Sequence, residues 1–142
     1  MAGEEVTKIV IDASVAVKWF NPEELSSEAL ELRDMHVNAQ VHIFAPDLLL
    51  YEVINAIKWN SEFNKNDVSK AAGSLEDLMI TYKEILPVAA VDIAYNYNLT
   101  IYDSSYIALA RKLDTILITA DDKLRKAADQ ENCIIALDKY IN

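Results

Sequence analysis

The chain has 142 residues, of which 52% are hydrophobic and 25% are charged, and its formal net charge is −10. This composition fits one globular domain with a sizeable core and excludes a disordered or low-complexity chain. The negative charge argues against broad binding of nucleic acid through a basic surface, although a bound divalent metal ion supplies positive charge locally.

The single cysteine and the short apolar runs limit the class of protein further. Cys133 alone excludes an intramolecular disulfide and a cysteine-based zinc cluster, and it is predicted to be a small buried hydrophobe in a cytoplasmic protein. No apolar run approaches the length of a membrane span and no signal-peptide pattern opens the chain, so we expect no membrane partner. One domain is expected over 1–142, with 1–6 as a disordered tail.

The predicted elements alternate between short apolar strands and helices. Residues 8–11 predict a buried strand and 14–20 a short helix. Asn21 is predicted to cap the next helix, with Pro22 at its first position and Glu24 as the capping-box partner. The later predicted elements are a strand at 41–45, a helix at 47–60, a helix capped by Asn66 or Asp67 with apolar positions as far as Tyr82 and ended by Pro87, a helix at 88–97, an extended piece at 100–102, a helix at 103–113, a strand at 115–119, a helix at 121–132 and a strand at 133–137.

This alternation of strands and helices predicts the fold class. Most of the strands are uniformly apolar, as strands are when helices cover both faces of a sheet. We therefore expect an α/β fold with a mainly parallel central sheet flanked by helices on both faces.

Four acidic residues stand at positions where such a fold binds ligands. Asp12 and Asp121 follow predicted strands, Asp103 begins a helix, and Glu52 lies within an apolar helix. Because ligands of open α/β sheets gather at the carboxyl ends of the strands, this topology can bring all four acids to one edge. Converging carboxylates repel each other, whereas Mg²⁺ or Mn²⁺ prefers oxygen ligands. The four acids therefore predict a divalent metal site.

Each acid also has a plain structural interpretation. Asp12, Asp103 and Asp121 suit the N-caps of the helices that they precede, where a carboxylate also complements the helix dipole. Glu52 would lie on the polar side of its helix, near Asn55. Taken singly, no acid decides between a structural and a catalytic role.

Four sequence blocks together resemble the PIN-domain nucleases, and in particular the VapC-type toxins of prokaryotic toxin–antitoxin pairs. The blocks occur in the family's order and span most of the chain. They are IDASVAVKWF (11–20), PDLLLYEVINAI (46–57), YDSSYIALARKL (102–113) and LITADDKL (117–124).

The resemblance implies a single PIN domain, an endoribonuclease activity and a role for each acid. Asp12 and Asp103 would hold Mg²⁺ or Mn²⁺ most directly, while Glu52 and Asp121 complete the site or orient the attacking water, leaving a 5′-phosphate and a 3′-hydroxyl. The polar residues that it points to as supporting groups are Ser14, Asn55 and Thr119. Asp122 lies where the family varies.

Substrate-binding groups are sparse in so acidic a chain. The candidate cations near the four blocks are Lys18, Lys58, Arg111 and Lys123. Trp19 and Trp59 could stack on bases, although core or dimer packing is the commoner role of tryptophan. His36 and His42 lie outside the blocks and have only a structural interpretation.

The resemblance also implies a homodimer, an RNA substrate and a VapB-type antitoxin that offers arginine to the carboxylates. Two alternatives remain at this point. One is a PIN-type nuclease of RNA processing or turnover without a toxin role. The other is a non-catalytic receiver-like module, which the single acid after the first strand disfavours.

Overall fold

A computed structural model of the chain describes residues 6–142; apart from Val6, the tail predicted at 1–6 lies outside the described residues. Within that part of the chain, one sheet contains five strands. They are β1 (Thr7–Ile11), β2 (Val41–Pro46), β3 (Thr81–Lys83), β4 (Ile116–Thr119) and β5 (Ile134–Ala136). All neighbouring strands pair in parallel, in the order β3-β2-β1-β4-β5, which confirms the predicted fold class.

Eight α-helices connect and cover these strands in the described part of the chain. They are α1 (Ala13–Ala16), α2 (Ser26–Val37), α3 (Leu48–Lys58), α4 (Lys65–Asp77), α5 (Pro87–Tyr97), α6 (Ile101–Lys112), α7 (Asp122–Ala127) and α8 (Leu137–Ile141). A 3-10 turn, Val17–Trp19, continues α1. None of the described helices is both long and apolar enough to span a bilayer.

The strand order places a topological switch point between β1 and β4. The chain proceeds from β1 outward to β2 and β3, then returns to the other side of β1 as β4 and β5. Right-handed crossovers, which parallel strands almost always use, then put α2 to α4 on one face and α5 to α7 on the other. The carboxyl ends of β1 and β4 therefore flank the crevice in which such sheets bind ligands.

Helix α6 is the most deeply buried helix of the fold. Seven consecutive residues, 104–110, are buried, and the helix contacts β1, β2 and β4. A helix that is enclosed on all sides has little freedom to move, because close-packed interiors resist displacement. Its first turn, which carries Asp103, is therefore held firmly at the carboxyl edge of the sheet.

The predicted cap at Asn21 is wrong. Helix α2 begins at Ser26, after Leu25 in a left-handed conformation with φ of 66°. The Glu23 N–H donates to Ser26 Oγ over 2.8 Å, and Asn21 Oδ1 instead accepts a 2.8 Å hydrogen bond from Asn60 Nδ2. These contacts stabilise a loop where the sequence pattern predicted a helical turn.

The helix predicted between its cap at Asn66 or Asp67 and Pro87 is also wrong at both ends. Asn64 caps α4 in a capping box with Asp67, two residues before the earlier of the two predicted caps. The helix ends at Asp77, Met79 takes a φ of 60°, and Tyr82 lies in the unpredicted strand β3. Tyr82 continues the apolar spacing of the helix but lies in a strand, because the edge of β2 is free to pair with this segment.

Later boundaries shift by smaller amounts. The extended piece predicted at 100–102 is wrong, because Thr100 caps α6 and Ile101 is already helical. Helix α7 ends at Ala127, before the predicted 132, and the last turn of the chain forms the unpredicted α8.

Candidate active site

Asp12 is fixed at the switch point by hydroxyl groups on both sides. Because β1 and β4 pair with Ile11 beside Ile118, the next residues, Asp12 and Thr119, also lie side by side. Thr119 Oγ1 donates to Asp12 Oδ2 over 2.5 Å, and Ser14 Oγ donates to Asp12 Oδ1 over 2.5 Å. Both carboxylate oxygens of Asp12 are therefore oriented by neutral donors.

The backbone after β4 sets the direction of these hydrogen bonds. The Ala120 N–H donates to Ser14 Oγ over 2.9 Å, and the Asp121 N–H donates to Thr119 Oγ1 over 3.0 Å. Each hydroxyl oxygen is thus an acceptor for the backbone, so its own proton is free to point at Asp12. Ser14 and Thr119 therefore both orient the Asp12 carboxylate.

Asp12 is a buried charge and does not act as a helix cap. Its side chain makes no capping hydrogen bond to α1 and is only 6% exposed. Burial raises the pKa of Asp12 from 3.8 to about 6; the hydrogen bonds from Ser14 and Thr119 oppose this rise, and the charges of Asp121 and Asp103 add to it. A carboxylate in such surroundings favours a proton or a cation.

Asp121 caps a helix and also contributes negative charge to the surroundings of Asp12. Its Oδ1 accepts from the Lys123 N–H over 2.9 Å and from the Leu124 N–H over 3.1 Å, so it caps α7 as predicted. One of its carboxylate oxygens remains outside these capping bonds. The capping role and the place beside Asp12 are compatible.

Asp103 lies in the first turn of α6 without capping it. The cap is Thr100, whose Oγ1 accepts from the Asp103 N–H over 3.0 Å. Burial raises the pKa of Asp103, and the negative charge of Asp121 raises it further, while the hydrogen bond with Thr100 lowers it. Asp103 therefore joins Asp12 and Asp121 in one electrostatically coupled group.

Glu52 reaches the same group from α3. It is half-buried, and burial raises its pKa, as does the charge of Asp103, whereas a hydrogen bond from Tyr106 lowers it. The Tyr106 hydroxyl donates to Glu52 Oε1 over 2.5 Å. Glu52 thus lies at the border of the polar side of α3, half-buried, and its carboxylate contacts a buried group of α6.

Tyr106 is a site residue that the sequence reasoning missed. It is 1% exposed and lies three residues after Asp103, so the two side chains share one face of α6. That spacing was available in the sequence as a signal. Burial raises the pKa of Tyr106 strongly, and the adjacent Glu52 carboxylate raises it further, so its phenol remains a proton donor.

No basic side chain neutralises the four acids in the part of the chain that the structure describes. The ion pairs there are Lys18–Glu23, Arg33–Asp34, Arg111–Glu131 and Arg125–Asp122. Nor do the described residues already gather three potential ligands tightly around one point. The oxygen-only donor set and its uncompensated charge nevertheless fit a hard divalent cation, which would draw the carboxylates together.

The predicted supporting and substrate-binding residues differ in their exposure and in their contacts. Asn55 is exposed on α3, one turn beyond Glu52, and makes no hydrogen bond to any of the four acids in the described part of the chain. Lys123 is exposed in the first turn of α7, two residues after the Asp121 cap. Lys18 lines a small polar cavity with Thr119 but pairs with Glu23, its Nζ 3.1 Å from Glu23 Oε1.

Arg111 is the least favourably placed of the predicted cations. It lies in the last turn of α6, at the opposite end of that helix from Asp103, and its guanidinium pairs with Glu131. The two tryptophans also differ. Trp19 belongs to the core and donates from Nε1 to the Ala29 carbonyl over 2.8 Å, whereas Trp59 is 75% exposed.

The sequence of the chain matches a known family and a known ribonuclease. A family model described as PIN domain matches residues 9–130. Ribonuclease VapC3 of Pyrobaculum aerophilum is 30% identical over 125 residues, which cover 82% of this chain and 92% of the relative. The residues that the family model matches, 9–130, include all four blocks of the candidate site.

Two crystal structures share the fold. PAE2754 from Pyrobaculum aerophilum superposes with a TM-score of 0.70 and 17% identity, covering 95% of this chain and 93% of its own. VapC20 of Mycobacterium tuberculosis, a toxin that cleaves the sarcin–ricin loop, superposes with a TM-score of 0.65 and 13% identity, covering 84% of this chain and 95% of its own. At these identities the likeness concerns the fold.

Proposed function

Because the chain belongs to the PIN-domain family and has a VapC ribonuclease among its relatives, we propose that it is the endoribonuclease toxin of a type II toxin–antitoxin pair. The reaction is the divalent-metal-dependent hydrolysis of RNA phosphodiester bonds. The observation that carries this proposal is Asp12, a buried carboxylate at the switch point that two hydroxyls hold and that pairs with no basic side chain of the described residues. We also propose that residues 1–142 form a single domain.

The four acids would hold Mg²⁺ or Mn²⁺. Asp12 and Asp103 are the direct ligands, and Glu52 and Asp121 complete the site directly or through water. When bound, the metal polarises the scissile phosphate and lowers the pKa of a water molecule. Each Asp12 oxygen accepts one hydroxyl proton and keeps a lone pair free, so the Ser14 and Thr119 contacts do not compete with this role.

The chain's own residues orient the substrate and move the proton. Glu52 and Asp121 are the candidates to orient the attacking water and accept its proton, because each keeps a carboxylate oxygen outside its protein hydrogen bonds. Lys123 is exposed beside Asp121 and would bind the RNA backbone, with Lys58 and Asn55 on α3 as further contacts. Trp59 lies under Lys58, whose Nζ is 4.6 Å from its ring centroid, and offers a stacking surface.

A cleavage assay tests this function directly. Purified protein, freed of any partner, is incubated with structured RNA while Mn²⁺ is titrated with and without chelator. We expect cleavage that the chelator abolishes and that Asp12→Asn and Asp103→Asn each reduce by ~10²–10³. Cleavage that persists in chelator, or that both variants retain, would contradict the proposed site.

A basic antitoxin segment is the proposed protein partner. The net charge of −10 and the uncompensated acids attract arginine, whose guanidinium binds carboxylates through two hydrogen bonds. Co-expression with the product of a neighbouring short gene should suppress cleavage and growth arrest. Growth that is unaffected by expression of the chain alone would favour the RNA-processing alternative.

A homodimer is the proposed assembly. Val88 and Tyr95 on α5 are 76% and 85% exposed, and Val91, between them in the sequence and on the same helix face, is 37% exposed. Exposed apolar residues on one helix face are typical of subunit contacts. Size-exclusion chromatography with light scattering should show a dimer that Val88→Lys weakens.

A further inference from the structure

Glu52 differs from Asp12 in how the protein holds it. Asp12 follows a strand in the middle of the sheet and receives a hydrogen bond on each oxygen. Glu52 extends from a helix on a longer side chain, is half-buried, and receives one hydrogen bond from the described residues, from Tyr106. Without that bond, the three side-chain torsions of Glu52 have no polar restraint within the described part of the chain.

Tyr106 is well suited to restrain a carboxylate without cancelling its charge. Its ring is 1% exposed on α6, the most deeply buried helix, so the position of its hydroxyl is determined by packing. The hydroxyl donates to Glu52 Oε1 over 2.5 Å and leaves Oε2 without a protein donor among the described residues. A lysine or arginine at the same place would have neutralised Glu52.

We propose that Tyr106 is a positioning residue that holds the Glu52 carboxylate in place for the divalent metal. The proposal rests on the proposed function, since it assumes that the four acids bind a metal ion. Tyr106 joins α6, which carries Asp103, to α3, which carries Glu52, so its hydroxyl sets the separation of two ligands on different helices. Groups that orient a metal ligand in this way typically change metal affinity 10–100-fold when they are removed.

The test is the affinity of the full chain for Mn²⁺, measured by isothermal titration calorimetry without RNA. Tyr106→Phe keeps the buried ring and removes only the donor, and we expect its Kd for Mn²⁺ to rise about 10–100-fold. Tyr82→Phe is the matched control, because the Tyr82 hydroxyl is buried and has no hydrogen-bond partner in the described part of the chain. Its Kd should equal that of the wild type.

A double-mutant cycle separates positioning from a general effect on folding. If Tyr106 acts through Glu52, then Tyr106→Phe should leave the Mn²⁺ affinity of a Glu52→Ala variant unchanged. Glu52 is half-buried, so Glu52→Ala should fold, and melting curves without metal verify this for every variant.

The outcomes distinguish this inference from the proposed function. A wild-type chain that binds no Mn²⁺ would overturn both. A wild-type chain that binds Mn²⁺ with the same Kd as Tyr106→Phe would overturn the positioning role alone, even if the variant melts at a lower temperature. A further loss of affinity when Tyr106→Phe is added to Glu52→Ala would also overturn it.

Discussion

Polar groups at the carboxyl edge of the sheet, where the strands end, and at its amino edge, where they begin, are held in opposite ways. At the carboxyl edge, Asp12 is buried with its charge uncompensated, and two neutral hydroxyls orient it. At the amino edge, the His36 ring bridges two backbone groups, accepting from the Ile43 N–H over 3.1 Å and contacting the Leu78 carbonyl over 2.7 Å. His42 contacts the Thr81 hydroxyl over 2.7 Å.

The comparison distinguishes a polar side chain that the fold itself requires from one that requires a ligand. The His36 ring satisfies both of its nitrogens with backbone groups, so the folded protein alone explains its presence. The Asp12 carboxylate is held in place but not neutralised, which lowers the stability of the fold and makes sense only with a ligand. Variants at the carboxyl edge should therefore lose cleavage activity, whereas variants at the amino edge should lose stability.

The largest expected effect is on cleavage and distinguishes the adjacent acids Asp121 and Asp122 at the carboxyl edge. Asp121→Asn keeps a good helix cap but removes a charge from the coupled group, so we expect a ~10²–10³-fold loss of rate. Asp122→Asn is the matched control, because Asp122 is exposed and only pairs with Arg125, its Oδ1 3.3 Å from Nη2. Its rate should stay within about twofold. Equal losses in the two variants would remove the distinction between a site residue and its neighbour.

The next effect is on the free energy of unfolding. Asp12→Asn should lose cleavage activity and yet be more stable than the wild type. Between about pH 4 and 6 the folded protein keeps a proton on Asp12 that the unfolded chain has released, because burial raises its pKa from 3.8 to about 6. The free energy of unfolding contributed by this group is highest below pH 4 and falls as the pH rises through 6. At pH 7.5 in chelator, Asp12→Asn should therefore be more stable than the wild type by about 1–3 kcal/mol.

Urea unfolding at two pH values tests this sign. The gain from Asp12→Asn should appear at pH 7.5 and vanish near pH 4, where the wild-type carboxyl is also neutral. A variant that is less stable than the wild type at pH 7.5 would show that the carboxylate stabilises the fold and is not an uncompensated charge.

The smallest of these effects lies at the amino edge. His36→Phe keeps a ring but leaves the Ile43 N–H and the Leu78 carbonyl without their partner, which should cost about 1–2 kcal/mol of unfolding free energy. Cleavage per folded molecule should not change. A loss of cleavage at unchanged stability would mean that the two edges are not functionally distinct.

Much of the fold follows from local patterns. The runs that became β1, β2 and β4 are mostly apolar and rich in β-branched residues, and a central parallel strand has that composition because helices cover both of its faces. Strand β3 was missed because it is three half-exposed or exposed residues long and exists through pairing with β2, which no local signal reports. Thr100 displaced Asp103 as the cap for a similar reason, since both residues suit that position.

The candidate site was also predictable only in part from the sequence. Asp12 and Asp121 were predictable because each follows a strand, and the ends of parallel strands meet at one edge. The contact between Tyr106 and Glu52 depends on how α6 lies against α3, and 54 residues of sequence separate the two side chains. Such a contact is a property of the packed structure, which explains why Glu52 was predicted and its partner was not.

The central claim is that the carboxyl edge is built to bind a divalent cation, and thermal melting with and without Mn²⁺ tests it most directly. A ligand at a hundredfold excess over its Kd stabilises the native state by about 2.7 kcal/mol, so we expect the wild-type melting temperature to rise by ~5–10 °C. Asp12→Asn should lose most of that rise while melting higher than the wild type in chelator. A wild-type melting temperature that does not change at millimolar Mn²⁺, or that rises equally in Asp12→Asn, would contradict the account.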